Sequence, residues 1–361
     1  MSDCPCCLPP WTYTRGVSTR YLYVGQNGTG VSGGTFRIRK FDPDGNQVNA
    51  NFWTFTPPTS AGQVRCIACD QSGNLYFGTI GVTGSSPGNQ LRAIDSTGAA
   101  MWSKSFGTHQ LQGVAVDNSG YVYSGDIALH KYNATTGVEV TTGGWPYTPS
   151  GATTRIAGIC VDQVGNTYFC GIRSSGAAGD QVFALNSSGT LLWSMRPSLG
   201  GDTTPPNQGC TAIAMSADGT QLCVTRSGNV ASGCEYILDA SDGSQVSGLA
   251  TGDAGLLSCE WDRSGNYYTG AQNKVRKNGS VLSTLNASRQ MFVNGLAIGT
   301  ADDQIFTAVG AGTGTGDQYR VASFDTTAGT KNWSFDDSGA VYGATSATCI
   351  EYAKGRVGAF G

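Results

Sequence analysis

Apolar residues come in short, strand-length runs along this chain, and each run ends in a turn signal rich in Asp, Ser, Asn and Gly. The stretch from Gln112 to Asp126, Gln-Gly-Val-Ala-Val-Asp-Asn-Ser-Gly-Tyr-Val-Tyr-Ser-Gly-Asp, shows the unit. It predicts a strand, a tight turn over 117–120, and a second strand carrying Tyr123. An Asp or Ser that opens such a turn accepts backbone N–H bonds, and the glycine supplies the positive φ that closes it.

Aligned on that glycine, seven copies appear. Gly73, Gly120, Gly165, Gly219 and Gly265 mark five of them. The sixth, Ala297 to Phe306, puts Asp303 in the glycine's place, and the seventh, Cys349 to Phe360, uses Gly355. Three positions past the turn residue stand Tyr76, Tyr123, Tyr168, Leu222, Tyr268 and Phe306, and branched or small residues such as Ile67, Val114, Ile159 and Ile213 precede it by six. A second turn follows each first one. Its clearest copies are Ala93-Ile-Asp-Ser-Thr-Gly-Ala-Ala-Met-Trp102, Ala184 to Trp193 and Phe324 to Trp333, with weaker ones at Gly137, Gly243 and Gly279 and one at Gly45, ahead of any first turn. Trp102, Trp193 and Trp333 each follow their glycine by four residues, a spacing that predicts packing between neighbouring sheets.

Seven first turns and seven second turns, about fifty residues apart, mean four-stranded units repeated seven times. The chain enters inside one unit, at Tyr21-Leu-Tyr-Val-Gly, and ends with the opening strand of another, 347–353. The two ends are therefore expected to share one blade and close an all-β, seven-bladed β-propeller over residues 20–361, with no open edge of the array left over. The Gly-Val-Ala-Val-Asp-Asn-Ser-Gly-Tyr-Val-Tyr unit resembles NHL-type repeats, and the Ala93–Trp102 unit is similar to the repeat of PQQ-type (quinoprotein-like) propellers. These resemblances imply blades; they do not imply a chemistry.

Alternate connections of such a blade emerge on opposite faces. The tight first and second turns share a plain face, whereas the long connections, rich in Gly, Ser and Thr, share the other, and variable loops on a rigid ring are where binding is expected. Trp145, Tyr147, Arg155, Arg173, Arg196, Asp202, Arg226 and Arg320 are the candidate binding residues of that loop face.

Candidate chemistry is sparse. The resemblance to NHL-like lyases and lactonases would imply a His/Glu pair or a Glu/Asn/Asp metal set at the central axis. The chain has two histidines. His109 falls in a connection that reaches the loop face, His130 falls in an outer strand, and the two are not expected to meet. No residue is assigned a catalytic role, no metal site is assigned, and no cofactor is expected, since no cofactor-stacking set stands out beyond the structural tryptophans. The Asp-x-Ser-Gly turns admit a calcium reading, but one carboxylate per turn is better explained as an Asx turn. Cys66 and Cys69 have zinc-knuckle spacing, yet in a strand their side chains point opposite ways.

Composition narrows the class. Charged residues make up 13% of the 361, about half the roughly 25% usual in soluble proteins, and glycine accounts for 53. With four Glu and seven Lys, good surface-helix formers are scarce. A net charge of −3 offers no basic field for nucleic acid or an anionic membrane. No apolar run approaches the roughly 18 residues of a spanning helix, and the N-terminal stretch lacks a basic segment followed by an apolar one, so neither membrane insertion nor Sec-type export is expected. Most of the twelve cysteines sit in strand patterns as small buried hydrophobes. Residues 1–19, with Cys4, Cys6, Cys7, Trp11 and three prolines, fit no blade and form an irregular arm expected to serve in assembly.

Two functional classes remain open. The first is a non-enzymatic structural or interaction protein of a virion, since the composition resembles that of phage tail and decoration proteins. Its partners would be other virion or surface proteins, or a host-surface glycan or protein, and it would be found in the virion or outside the cell after lysis. The second is an NHL-like enzyme or carbohydrate-binding module with a site at the axis, for which a cytoplasmic location stays open. Convergent carboxylates or histidines at the axis would favour it.

Overall fold

In the computed structural model, the described residues are 21–26, 36–55, 62–81, 90–107, 109–149, 153–173, 180–199, 209–226, 233–253, 255–285, 291–299, 302–311, 320–336 and 347–352. All regular elements among them are strands, arranged as seven antiparallel sheets. Blade 1 runs Gly62–Cys69, Leu75–Gly81, Gln90–Ile94, Ala100–Ser105, and blade 3 runs Thr153–Val161, Thr167–Arg173, Val182–Leu185, Leu191–Met195. Blade 4 (Cys210–Met215 to Gln245–Ala250), blade 5 (Ser258–Trp261 to Ser280–Thr284) and blade 6 (Met291–Ile298 to Lys331–Asp336) repeat the four-strand meander.

Blade 7 is assembled from both ends of the propeller. Ala347–Tyr352 pairs antiparallel with Leu22–Gln26, which continues to Phe36–Phe41 and Gln47–Phe55. The expected closure is thus made by backbone hydrogen bonds between segments more than 300 residues apart. Blade 2 departs from the pattern. Its strands Gly113–Val116, Tyr121–Gly125 and Leu129–Asn133 are followed by two isolated bridges, Tyr132 to Glu139 and Leu129 to Tyr147, in place of a continuous fourth strand.

The first turns show why the repeat keeps its Asp and its Tyr. In blade 1, one oxygen of Asp70 accepts the N–H groups of Ser72 and Asn74, while the other accepts the Asn74 amide (2.8 Å) and the Tyr76 hydroxyl (3.1 Å). Asp262 repeats this with Asn266 and Tyr268, and Asp117 holds Ser119, Tyr121 and Tyr123. Both oxygens of each carboxylate are occupied by the chain itself, which supports the Asx reading of these turns over calcium. In blade 6 the left-handed residue is Asp302 (φ 58°), not the neighbouring Asp303 that the alignment had placed there.

Packing lies between blades. Seven buried apolar clusters fill the seven joints, for example Ile159, Phe169 and Phe183 of blade 3 against Tyr123 and Leu129 of blade 2. The tryptophans lock these joints as the spacing predicted. Trp102 of blade 1 donates its indole N–H to Ala134 of blade 2 (2.8 Å), Trp193 of blade 3 to Ala240 of blade 4 (3.0 Å), and Trp333 of blade 6 to Pro43 of blade 7 (3.0 Å). Each ring lies flush on the next blade's second-turn glycine, Gly137, Gly243 or Gly45, where a Cβ would collide with the indole. The glycine is thus needed twice, for its positive φ and for the ring above it.

The joint between blades 4 and 5 has the smallest of the seven clusters among the described residues, and it holds a polar network instead. Glu235, 2% exposed, accepts bonds from Thr269 and Tyr267, while Asp253 pairs with Lys274 and Arg276. Burial pushes the Glu235 carboxyl above its usual range, against the hydrogen bonds and the nearby Arg276 charge. The cysteines behave as core residues. Cys66 packs between blades 1 and 2 and Cys69 between blades 7 and 1, on opposite faces as strand geometry requires, and the eight cysteines whose side chains are described are free.

Candidate functional site

The innermost strand of each blade is covered on both faces by neighbouring blades, so a residue there reaches solvent through the central channel. Arg65 does so. It occupies a β-bulge, skipped in the pairing between Val64–Thr79 and Cys66–Gly78, and its side chain is exposed. A bulge re-aims one side chain out of the pleat. Equivalent offsets before the turn glycine place Gln112 on blade 2 beside it, and one strand step higher stand Gln63, Gln110 and Arg155 on blades 1, 2 and 3.

These five side chains form an arc at the loop-face mouth of the channel. Arg155 donates to the Gln110 side chain across the joint between blades 2 and 3 (3.2 Å). Arg65 donates to Gln63 (3.4 Å), and Gln112 to Gln110 (3.5 Å). Burial lowers the Arg155 pKa, and the positive charge of Arg65 lowers it further. The two positive charges thus act on each other, and each guanidinium bonds a neutral amide, Gln63 for Arg65 and Gln110 for Arg155. Such an arrangement is stabilised by an incoming anion.

A second constellation lies outward of this arc and overturns one expectation. His109 and His130 do meet, through Asp126. The His109 Nδ1–H donates to Asp126 Oδ2 (3.0 Å), and His130 Nε2 lies 3.6 Å from Asp126 Oδ1. On its other side His130 Nδ1 donates to Glu139 (2.6 Å). Asp126 sits in the tight connection after Tyr121–Gly125, where it also accepts the Ala128 N–H. Burial works against the charged Asp126 carboxylate, yet the bonds from His130, Ala128 and His109 hold its pKa at about 2. Burial likewise lowers His130, and the two carboxylates outweigh it, so its pKa is raised. Sequence order hid the contact because it runs through a third residue, Asp126 in the tight connection before the strand of His130, which bonds both rings.

The remaining expected loop-face residues disperse. Trp145 is not presented on a loop; it is buried, packs against Tyr123 and donates to the Ser187 carbonyl of blade 3 (3.2 Å). Tyr147 takes the place of an outer-strand residue opposite Leu129 and packs its ring edge on Phe169. Arg226, 1% exposed, lies inside blade 4 within hydrogen-bond distance of the Tyr236 hydroxyl and the Pro197 carbonyl, which makes it a packing residue and not a surface one. Arg196 is half-buried, and its charge and that of Arg226 both act on the Cys210 thiol. Arg173 ends the second strand of blade 3 and Arg320 opens the third strand of blade 6; their side chains, like Asp202, Cys4, Cys6, Cys7 and Trp11, lie outside the described residues. Of the eight, Arg155 alone joins a described polar cluster at the channel mouth. Gln63, Arg65, Gln110 and Gln112 were missed; the shared offset of Gln63, Gln110 and Arg155 from their turn glycines was the readable signal, and none marked Arg65.

At the opposite, plain mouth a cavity of about 820 Å³ is lined by Val161, Val164, Met215, Ala217, Asp218 and Arg263. No group of three or more His, Cys, Asp or Glu side chains is arranged to hold a metal ion among the described residues. No helix among them is long and apolar enough to cross a membrane.

Fold and repeats together define a seven-bladed propeller with PQQ-like blades. A family model described as PQQ_2, outer membrane protein assembly factor BamB, matches residues 87–255, which span the outer half of blade 1 through blade 4. No curated protein matches the chain. Among solved structures it is similar to a protein from Lactobacillus plantarum (TM-score 0.60, 14% identity, covering 91% of this chain and 99% of that one). It is also similar to U3-55K (0.57, 13%, covering 81% and 92%) and to the β-propeller domain of Myceliophteria thermophila Cps50 (Swd1) (0.55, 11%, covering 76% and 86%). At these identities the likeness is one of fold.

Proposed function

We propose that this protein is a non-enzymatic interaction platform that holds a partner on its loop face, around the mouth of the central channel. The observation that supports it is the Arg/Gln arc, with Gln63, Arg65 and Arg155 on inner strands and Gln110 and Gln112 in the segment leading into one, a binding chemistry with no nucleophile or general base in it. The enzyme reading asked for histidines or carboxylates converging at the axis. The histidine–carboxylate cluster instead joins the blade 1–2 connection to outer strands of blade 2, a strap across one joint. The matched family is described as an assembly factor, a role that fits a platform.

The finer reading we propose is a virion component, a phage tail or capsid-decorating protein whose residues 1–19 serve in assembly. It rests on the low charge and on the Gly/Ser/Thr-rich connections of the loop face. The test is gradient sedimentation of the protein from its native source, with mass-spectrometric identification of what travels with it. Co-migration with capsid or tail proteins is expected, and a free monomer near 37 kDa would overturn both the virion and the platform reading.

A further inference from the structure

The channel mouth carries a ligand chemistry more specific than partner binding in general. Two guanidiniums face one opening, Arg65 from a bulge on blade 1 and Arg155 near the start of the inner strand of blade 3. A guanidinium presents a planar fork of donors that matches a carboxylate bidentately. Three glutamines accompany them: Gln63 bonded to Arg65, and Gln110 bonded to Arg155 and Gln112. Each amide offers both a donor and an acceptor, the pairing that a sugar hydroxyl, itself donor and acceptor, satisfies. The hydrogen bonds among these five side chains are long, 3.2 to 3.5 Å, so exchanging them for ligand bonds sacrifices little. Gln63, Arg65 and Arg155 are held on inner strands without ligand, which limits the ordering entropy of binding for these three.

We propose that this mouth is a binding site for an acidic sugar, a uronic-acid residue whose carboxylate is taken by Arg65 and Arg155 and whose hydroxyls are taken by Gln63, Gln110 and Gln112. The site deepens the platform reading and rests on it: the partner held on the loop face would be a uronate-bearing polysaccharide. Because the charge is carried by two arginines, affinity falls as salt rises. Because the fork geometry is used, a lysine is no substitute.

The experiment is calorimetric titration of the full chain, at low salt, with a galacturonic acid trimer, a neutral galactose trimer, acetate and inorganic phosphate. The acidic trimer is expected to bind and the neutral one not. Arg155→Ala, Arg65→Ala and Arg155→Lys are each expected to weaken it by roughly tenfold or more, and Gln110→Ala by a few-fold. Unchanged thermal unfolding of these variants shows that the ring is intact. The proposal is overturned if the acidic trimer does not bind, if acetate or phosphate binds as well as the trimer, or if the arginine variants bind it normally. Failure here is distinguishable from failure of the platform reading: if the acidic trimer does not bind while the unaltered protein still co-migrates with capsid or tail proteins, the sugar site alone is wrong.

Discussion

The strap of His109, Asp126, His130 and Glu139 can be tested residue by residue, because these are the only two histidines of the chain. Consider Asp126→Asn. The carboxylate's pKa is held at about 2 against an ordinary 3.8, a difference worth about 2.5 kcal/mol at 1.36 kcal/mol per unit. The Asp126 side chain is 8% exposed, but its partner His109 is 49% exposed, so water screens part of this and about 1–2 kcal/mol is a better expectation. The sign differs at each end of the pH scale. Asp126 has a depressed pKa, so its contribution is present above about pH 4 and lost as the pH falls through about 2. His130 has a raised pKa, so its contribution is fully present below 6.5 and lost as the pH rises through the raised value. Both contributions coexist between about pH 4 and 6.5, and there the variant should differ most from the parent. The groups facing His130 are Asp126, Glu139 and the rings of Phe106 and Tyr132, so Glu139 keeps part of its lift in the variant. Urea unfolding followed by tryptophan fluorescence at pH 5.5 and pH 9 reads the energy. Side-chain NMR titration of the two histidines reads the His130 pKa, which should drop toward 6.5. A loss below about 0.5 kcal/mol at pH 5.5, with the His130 titration unmoved, would refute the strap.

Three further outcomes follow from the joints. Trp333→Ala removes the indole bridge to Pro43 at the closing blade and should cost about 2–4 kcal/mol in urea unfolding. Gly243→Ala puts a methyl 2.6 Å from the Trp193 ring at a φ of 75°, so a cost of at least about 2 kcal/mol is expected; an unchanged midpoint would mean the second-turn glycines are not packing constraints. Deleting 345–361 removes the strand that pairs with Leu22–Gln26 and should yield insoluble protein, and a soluble truncation with a cooperative melt would argue against closure by these segments.

The blades were legible in the sequence because each is a local object. The Asp-to-Gly turn, the Tyr three residues on and the Trp four residues past the second glycine act within one repeat or on the next, so spacing alone carries them. The closing blade was legible for a related reason, since the phase of the repeat at each end requires it. The channel mouth was half legible. Arg155 was singled out, but Arg65 reads as an ordinary polar residue in a strand until a bulge turns it toward the axis, and a bulge leaves no signature in composition. Trp145 was misread because an aromatic in a Gly-rich connection resembles a displayed residue, while here it replaces the missing fourth-strand tryptophan of blade 2 and reaches Ser187. Arg226 was misread because charge suggests surface, whereas its strand end is enclosed by Pro197 and Tyr236.

The shared blade also sets an order in time. During synthesis blades 1 to 6 can each form as their residues leave the ribosome, but Leu22–Gln26 stays without its inner neighbour until 347–352 has been made. That pairing has the longest loop to close of any in the molecule, and so it comes late and at the greatest entropic cost. Until then the nascent ring carries an open strand edge at Leu22–Gln26. Two newly finished chains that meet before closing can exchange 347–352, each strand pairing with Leu22–Gln26 of the other chain, so the concentration of neighbouring chains becomes a determinant of yield. A linked, strand-exchanged dimer should therefore accompany the monomer when the protein is made quickly.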